Sequence, residues 1–128
     1  LPEAAVLLDQ PEPTSRDAMP AMAAALRRLG CSVVLLKGGH LPGPASPDLL
    51  ATADGEHWFE GERVATRNTH GTGCTLSSAL AARLAVTGDV RAAAEQAKGY
   101  VAGAIAAADR LDVGGGHGPT HHFHALWR

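Results

Sequence analysis

The chain has 128 residues, 45% of them apolar and 19% charged, with 11 Lys and Arg against 13 Asp and Glu and a formal net charge of -2. That composition suits one soluble globular domain and excludes a disordered chain, which would be poorer in apolar residues and richer in charge. The slightly acidic balance argues against a nucleic-acid binder working through bulk charge, and no apolar run reaches the roughly 18–20 residues of a membrane span.

Residues 3–9 follow Pro2 and read as a short apolar helix, because a proline in the first turn lacks only an N–H that had no partner there. Pro11 and Pro13 end it. Thr14-Ser15-Arg16-Asp17 has the form of a capping box, and Met22, Ala25, Leu26 and Leu29 fall at helical spacing before Gly30. Pro20 either kinks this helix or marks a later start with Asp17 as its cap. Residues 32–37 form a β-branched and leucine run ended by Gly38-Gly39, the pattern of a central parallel strand buried on both faces. A helix followed by such a strand is the α/β signature. Residues 41–47 are a loop rich in Pro and Gly. Residues 48–53, an Asp54-Gly55 turn and residues 56–60 predict a β-hairpin, and residues 63–67 are a further strand candidate.

Asn68-Thr69-His70-Gly71-Thr72-Gly73-Cys74-Thr75 then leads into a helix with Leu76, Leu80 and Leu84 on one face, ended by Gly88-Asp89. A second helix is expected from about Val90 to Leu111, with Ala94, Ala97, Val101, Ile105 and Ala108 on one stripe. The tail, from Gly114 through His117, His121, His122 and His124, is rich in turns and histidine. No internal repeat and no second domain boundary is evident, so residues 1–128 read as part of one domain. Two cysteines, Cys31 and Cys74, do not make a disulfide framework, and neither has a C-x-x-C partner for a zinc ribbon, which predicts a cytoplasmic chain with reduced thiols. Leu1-Pro2-Glu3 carries no signal-type run. A core built mostly from Ala, Val and Leu is marginal at this length, which suggests a portion of something larger.

The most informative segment is Gly71-Thr72-Gly73-Cys74. Small residues before a helix let the backbone curl around an anion, and the first helical N–H groups point at it with the positive end of the helix dipole behind them. Such a nest suits a phosphate whose charge is changing, and a cysteine at a helix N-terminus is favoured as thiolate. The same residues also fit a Gly-rich cap on an ordinary helix, with Cys74 as a small buried filler. Lys37, at the end of a predicted strand, is placed to reach a phosphate or simply to be solvated. Glu3 is an oxygen ligand for magnesium or an acidic residue favourable to its helix dipole. The four tail histidines invite a metal, although no Cys or acidic partner accompanies them, and a tail packing Phe123 and Trp127 onto the body is the simpler expectation.

Leu-Pro-Glu3-Ala, Leu-Lys37-Gly-Gly-His40, Asn68-Thr-His-Gly-Thr-Gly-Cys74-Thr-Leu and Gly118-Pro-Thr-His-His-Phe-His124, in this order, resemble the bacterial hydroxymethylpyrimidine/phosphomethylpyrimidine kinases of thiamine biosynthesis. Cysteine closing the Gly-Thr-Gly-Cys turn is specific, since most of the wider ribokinase-like superfamily carries aspartate there. The resemblance implies an α/β fold: the C-terminal half of a ribokinase-like three-layer αβα domain with a mostly parallel central sheet. It implies ATP and Mg²⁺ as cofactors and 4-amino-5-hydroxymethyl-2-methylpyrimidine and its monophosphate as small-molecule substrates, in the cytoplasm, with neither nucleic acid nor membrane as partner and a homo-oligomer allowed in the full-length form. Gly71, Thr72, Gly73 and Cys74 would form the anion hole, Cys74 would be the base, Lys37 would contact nucleotide phosphates, and Glu3 would support the metal. The family chain is about twice as long, so the pyrimidine-contacting half is not in this sequence, and little activity is expected of these residues alone. A pyridoxal or pyridoxine kinase of the same superfamily, and a non-catalytic fragment or partner module, are the alternatives.

Overall fold

A computed structural model of the chain describes residues 1–127, which separate into two compact units, residues 1–63 and residues 64–127.

In the first unit, helix α1 (Pro2–Leu8) starts with its proline in the first turn and ends at Asp9, whose φ of 49° is left-handed. The expected capping box does not form. Ser15 is extended and caps only a short 3₁₀ turn at Arg16–Ala18, with no side-chain bond. Helix α2 (Met19–Arg27) begins after that turn, with Pro20 in its first turn and Ala18, not Asp17, at its cap. The proline thus marks the later start, where its ring clashes with no preceding carbonyl. Met19, Met22, Ala23 and Leu26 are buried, while Leu29 lies beyond the helix and is 59% exposed.

The sheet has the order β1 (Val34–Lys37), β2 (Asp48–Thr52), β3 (Gly55–Phe59). Both pairings are antiparallel, with Leu36 opposite Leu49 and Leu49 opposite Trp58. The α/β class holds, but the expected mostly parallel sheet is not what these strands form, and β1 is an edge rather than a central strand among the described residues. The physical reason lies in the connection. Residues 38–47 contain no helix, and a parallel crossover needs about a dozen residues, usually helical. Adjacent Leu49 and Leu50 are 0% and 2% exposed, so β2 is the strand buried on both faces. The hairpin turn falls one residue earlier than expected, on Ala53-Asp54. There the Thr52 hydroxyl accepts from the Asp54 amide at 3.2 Å, and Gly55 takes a φ of 133°. Residues 63–67 are not a strand; only an isolated antiparallel bridge, Ala45 to Glu62, lies nearby. α1 and α2 pack with the sheet into a core of Ala4, Ala5, Met19, Met22, Leu26, Leu36, Leu41, Leu49 and Ala51.

The second unit is built on two helices, α3 (Thr72–Thr87) and α4 (Val90–Ala106). Gly88 ends α3 at a φ of 65°, and the Asp89 carboxylate caps α4 by accepting from the Arg91 and Ala92 amides at 2.8 and 3.1 Å. α4 stops before the expected Leu111 and is followed by a 3₁₀ turn at Ala108–Arg110. Its stripe of Ala93, Ala94, Ala97, Val101 and Ala104 is buried. On α3, by contrast, only Thr75 and Leu76 are buried, and Leu84 is 41% exposed. The tail docks differently from the expectation. Gly118, Thr120 and His121 are its buried residues, with the His121 amide donating to Ala104 O at 2.9 Å and the Tyr100 hydroxyl to His122 O at 2.8 Å. Phe123 and Trp127 stack on each other, with half or more of each exposed.

Candidate active site

The second unit presents the Gly71-Thr72-Gly73-Cys74 turn. Gly71 is the N-cap of α3 with a φ of 81°, a conformation that only glycine adopts without strain. No side chain caps the helix. The Thr75 amide and hydroxyl both donate to Gly71 O, at 2.8 and 2.7 Å, and the Thr72 hydroxyl donates to Thr69 O at 2.7 Å, which fixes the first turn. The amides of Gly71, Gly73 and Cys74 make no hydrogen bond among the described residues. Nothing lies within 4 Å of the point where a side chain on Gly71 or Gly73 would begin. Cys74 is a free, exposed thiol, so the buried-filler alternative does not hold. Three unpaired donors at the positive end of a sixteen-residue helix are an arrangement with the chemistry to receive an anion.

The segment entering this turn is pinned on both sides. His70 pairs with Pro119 in a parallel bridge, its amide donating to Gly118 O at 3.1 Å. The Asn68 side-chain amide donates to Ala108 O and to the Asp109 carboxylate, at 3.2 and 3.1 Å, and the Thr66 hydroxyl donates to the same carboxylate. A side chain at Gly118 would begin 2.2 Å from Asn68 Oδ1, so only glycine fits there. Thr66, Arg67, Asn68, Asp109 and the glycines 114–116 line an open polar cleft.

Glu3 and Lys37 lie in the first unit. Glu3 sits in the first turn of α1 with its side chain 86% exposed. A main-chain hydrogen bond at Glu3 is the largest influence holding its carboxyl below the usual range, and His40 and Lys37 add to it more weakly. Lys37 closes β1, and its ammonium makes no hydrogen bond among the described residues. Beyond it the Gly38 amide donates to Pro47 O at 2.8 Å and to the buried Asp48 carboxylate at 3.2 Å. A side chain at Gly38 would begin 2.2 Å from Pro47 O, which explains the glycine. Residue by residue reading missed Arg63. Its guanidinium donates to the carbonyls of Gly39, Leu41 and Gly43 at 2.7, 2.5 and 3.0 Å. The only sequence signal for it was indirect: a loop with three prolines has few amides to satisfy its own carbonyls. Among the described residues no three His, Cys, Asp or Glu side chains stand together as a metal site, the tail histidines included.

The α/β architecture is that of the ribokinase-like kinases. Its structural neighbours include a pyridoxal kinase from Bacillus subtilis described as an ADP complex, with a TM-score of 0.89 and 31% identity over 98% of this chain and 47% of that one. Another is a pyridoxal kinase from Staphylococcus aureus in complex with AMP-PCP and pyridoxal, with a TM-score of 0.89 and 27% identity over 97% of this chain and 46% of that one. The phosphomethylpyrimidine kinase family model matches residues 1–121, and the chain belongs to that family. It is 51% identical over 127 residues to the hydroxymethylpyrimidine/phosphomethylpyrimidine kinase of Salmonella typhimurium, covering 99% of this chain and 48% of that protein. The Escherichia coli protein of the same name is 49% identical over 127 residues. The chain spans about half the length of the curated relatives it matches. No helix among the described residues is long and apolar enough to cross a membrane.

Proposed function

We propose that this chain supplies the C-terminal half of a single-domain cytoplasmic kinase that uses MgATP to phosphorylate 4-amino-5-hydroxymethyl-2-methylpyrimidine and then its monophosphate. The observation that carries the reading is the set of three unpaired amides at Gly71, Gly73 and Cys74, beside an exposed thiol. Phosphoryl transfer needs positioned donors around the equatorial oxygens of the migrating group more than it needs covalent chemistry. In this reading Cys74 accepts the proton of the substrate hydroxyl as its oxygen attacks the γ-phosphorus. The bond from that phosphorus to the bridging oxygen of ADP breaks, and the amides of the turn hold the charge on the three oxygens in flight. Lys37, with an ammonium free of hydrogen bonds, offers a point charge to nucleotide phosphates.

Magnesium takes oxygen ligands, keeps several waters and is usually held by one or two carboxylates together with substrate phosphates. An exposed Glu3 carboxylate held ionised fits that demand. When bound, the metal neutralises charge on the phosphates. Glu3 would hold it directly or through water. The free, exposed state of both thiols suits a reducing compartment.

Names among the relatives favour the pyrimidine alcohol, while the pyridoxal kinase neighbours at 27–31% identity keep a pyridine alcohol as the second reading. The test supplies, as separate chains, the N-terminal half of the Salmonella relative and that of the Bacillus subtilis pyridoxal kinase, and measures ADP release by each pair with each alcohol. Turnover with the pyrimidine alcohol is expected. Turnover with pyridoxal alone would select the second reading, and none with either would sink the kinase assignment.

A further inference from the structure

The loop after Lys37 is held in an unusual way. Residues 38–47 join β1 to β2 and include Pro42, Pro44 and Pro47, which have no N–H to give. Three alternate carbonyls, those of Gly39, Leu41 and Gly43, face the Arg63 guanidinium, and each takes its hydrogen bond from a different nitrogen of the fork. The base of that side chain is itself fixed. The Arg63 amide donates to Pro44 O at 2.7 Å, and the Ser46 amide to Gly61 O at 2.8 Å, around the bridge between Ala45 and Glu62. From the other side Leu41, 6% exposed, is sunk into the core, and its amide closes a turn onto Gly38 O at 2.9 Å. His40 is left exposed at the tip between these two anchors.

We propose that Arg63 is the positioning residue of the segment from Lys37 to Gly43, and that its three-way fork sets the affinity of this end of the first unit for nucleotide phosphates. The inference rests on the reading of Lys37 as a phosphate contact. A planar guanidinium presents its five donors on three nitrogens in a fixed fork, whereas an ammonium has all three of its donors on one nitrogen and cannot reach carbonyls spaced around that fork. With the fork removed, three oxygens would be left unneutralised beside Lys37 and add negative potential where an anion is to bind. Arg63 acts through the loop and touches no reacting atom.

Kinetics of the two-chain kinase test this directly. Arg63→Ala is expected to raise the KM for ATP about tenfold with kcat within about twofold. Arg63→Lys keeps the charge and loses the fork, and should stay close to the alanine variant. Millimolar guanidinium ion should restore the alanine variant and leave the wild type unchanged, a rescue that a globally misfolded protein would not give. An unaltered KM in Arg63→Ala, a full recovery by lysine, or a defect that guanidinium leaves in place would each overturn the inference while the kinase reading stood. A wild-type pair inactive with every alcohol would instead remove the reading of Lys37, and this inference with it.

Discussion

At Gly73 no atom lies within 4 Å of where a side chain would begin, and its φ is not among the positive ones. A methyl group there costs the fold nothing and favours the helix slightly, since alanine outranks glycine by roughly 1 kcal/mol in helix interiors. Gly73→Ala should therefore melt at or just above the wild-type temperature. If the turn receives a phosphoryl group, the same methyl enters the anion's space, and turnover of the two-chain kinase should fall at least about tenfold. Unchanged turnover would show that the glycine serves only the chain. Cys74 is open to a sharper comparison. A positioned base contributes on the order of 10²–10⁴ in rate, so Cys74→Ala should lose about a hundredfold or more in kcat with the KM for ATP preserved, and Cys74→Asp should recover part of it. Near-wild-type turnover in the alanine variant would remove the thiol from the mechanism. The turn was legible because two glycines, a threonine and a cysteine opening an apolar run carry their geometry locally. Arg63 was not, since its role depends on carbonyls at residues 39–43, about twenty positions away, and no local pattern encodes that meeting.

The elements show where local pattern succeeds and where it stops. Helices α3 and α4 stand close to their expected positions because Gly88 and Asp89 make one cap apiece that sequence alone specifies. Removing the Asp89 carboxylate leaves the Arg91 and Ala92 amides without their acceptor, so Asp89→Ala should cost about 1 kcal/mol. A chemical-denaturation midpoint checks this, and Asp89→Asn should lose much less. The direction of β1 was misread because an apolar run of four to six residues fits a parallel or an antiparallel strand equally well. The length of the connection to β2 decides between them, and it is short and without a helix. The same short connection makes β2 the best-buried strand, and Leu49, with no exposed surface, is its centre. Leu49→Ala opens a cavity in that core, opposite Leu36, and should cost about 2–5 kcal/mol, more than any cap on the surface. A loss under about 1 kcal/mol in the same denaturation experiment would mean that the strand relaxes into the space.

At the scale of the whole molecule the apolar surface is the dominant fact. Val6 and Leu7 on α1 are 81% and 66% exposed, and Leu84 and Val86 at the end of α3 are 41% and 79% exposed. Single exposed apolar side chains are ordinary, and Leu84 and Val86 point to different sides of α3, but Val6 and Leu7 are adjacent on α1 and together offer an apolar surface of the kind a partner covers. Alanine-rich helices bury little area each, and a sheet of three short strands adds few large side chains to the core. The 128 residues are therefore expected to bind a hydrophobic dye such as ANS strongly when alone and to melt broadly. Supplying the N-terminal half of the Salmonella relative should quench the dye and sharpen the transition, because the second half removes the same side chains from water. Val6→Ser and Leu7→Ser together separate this from a nonspecific effect. They should lower dye binding by the lone chain and, in the two-chain form, weaken assembly enough to make turnover depend on protein concentration. Assembly and turnover unaffected by both serines would mean that α1 faces solvent in the working enzyme, and that whatever completes this half of the kinase does so elsewhere on its surface.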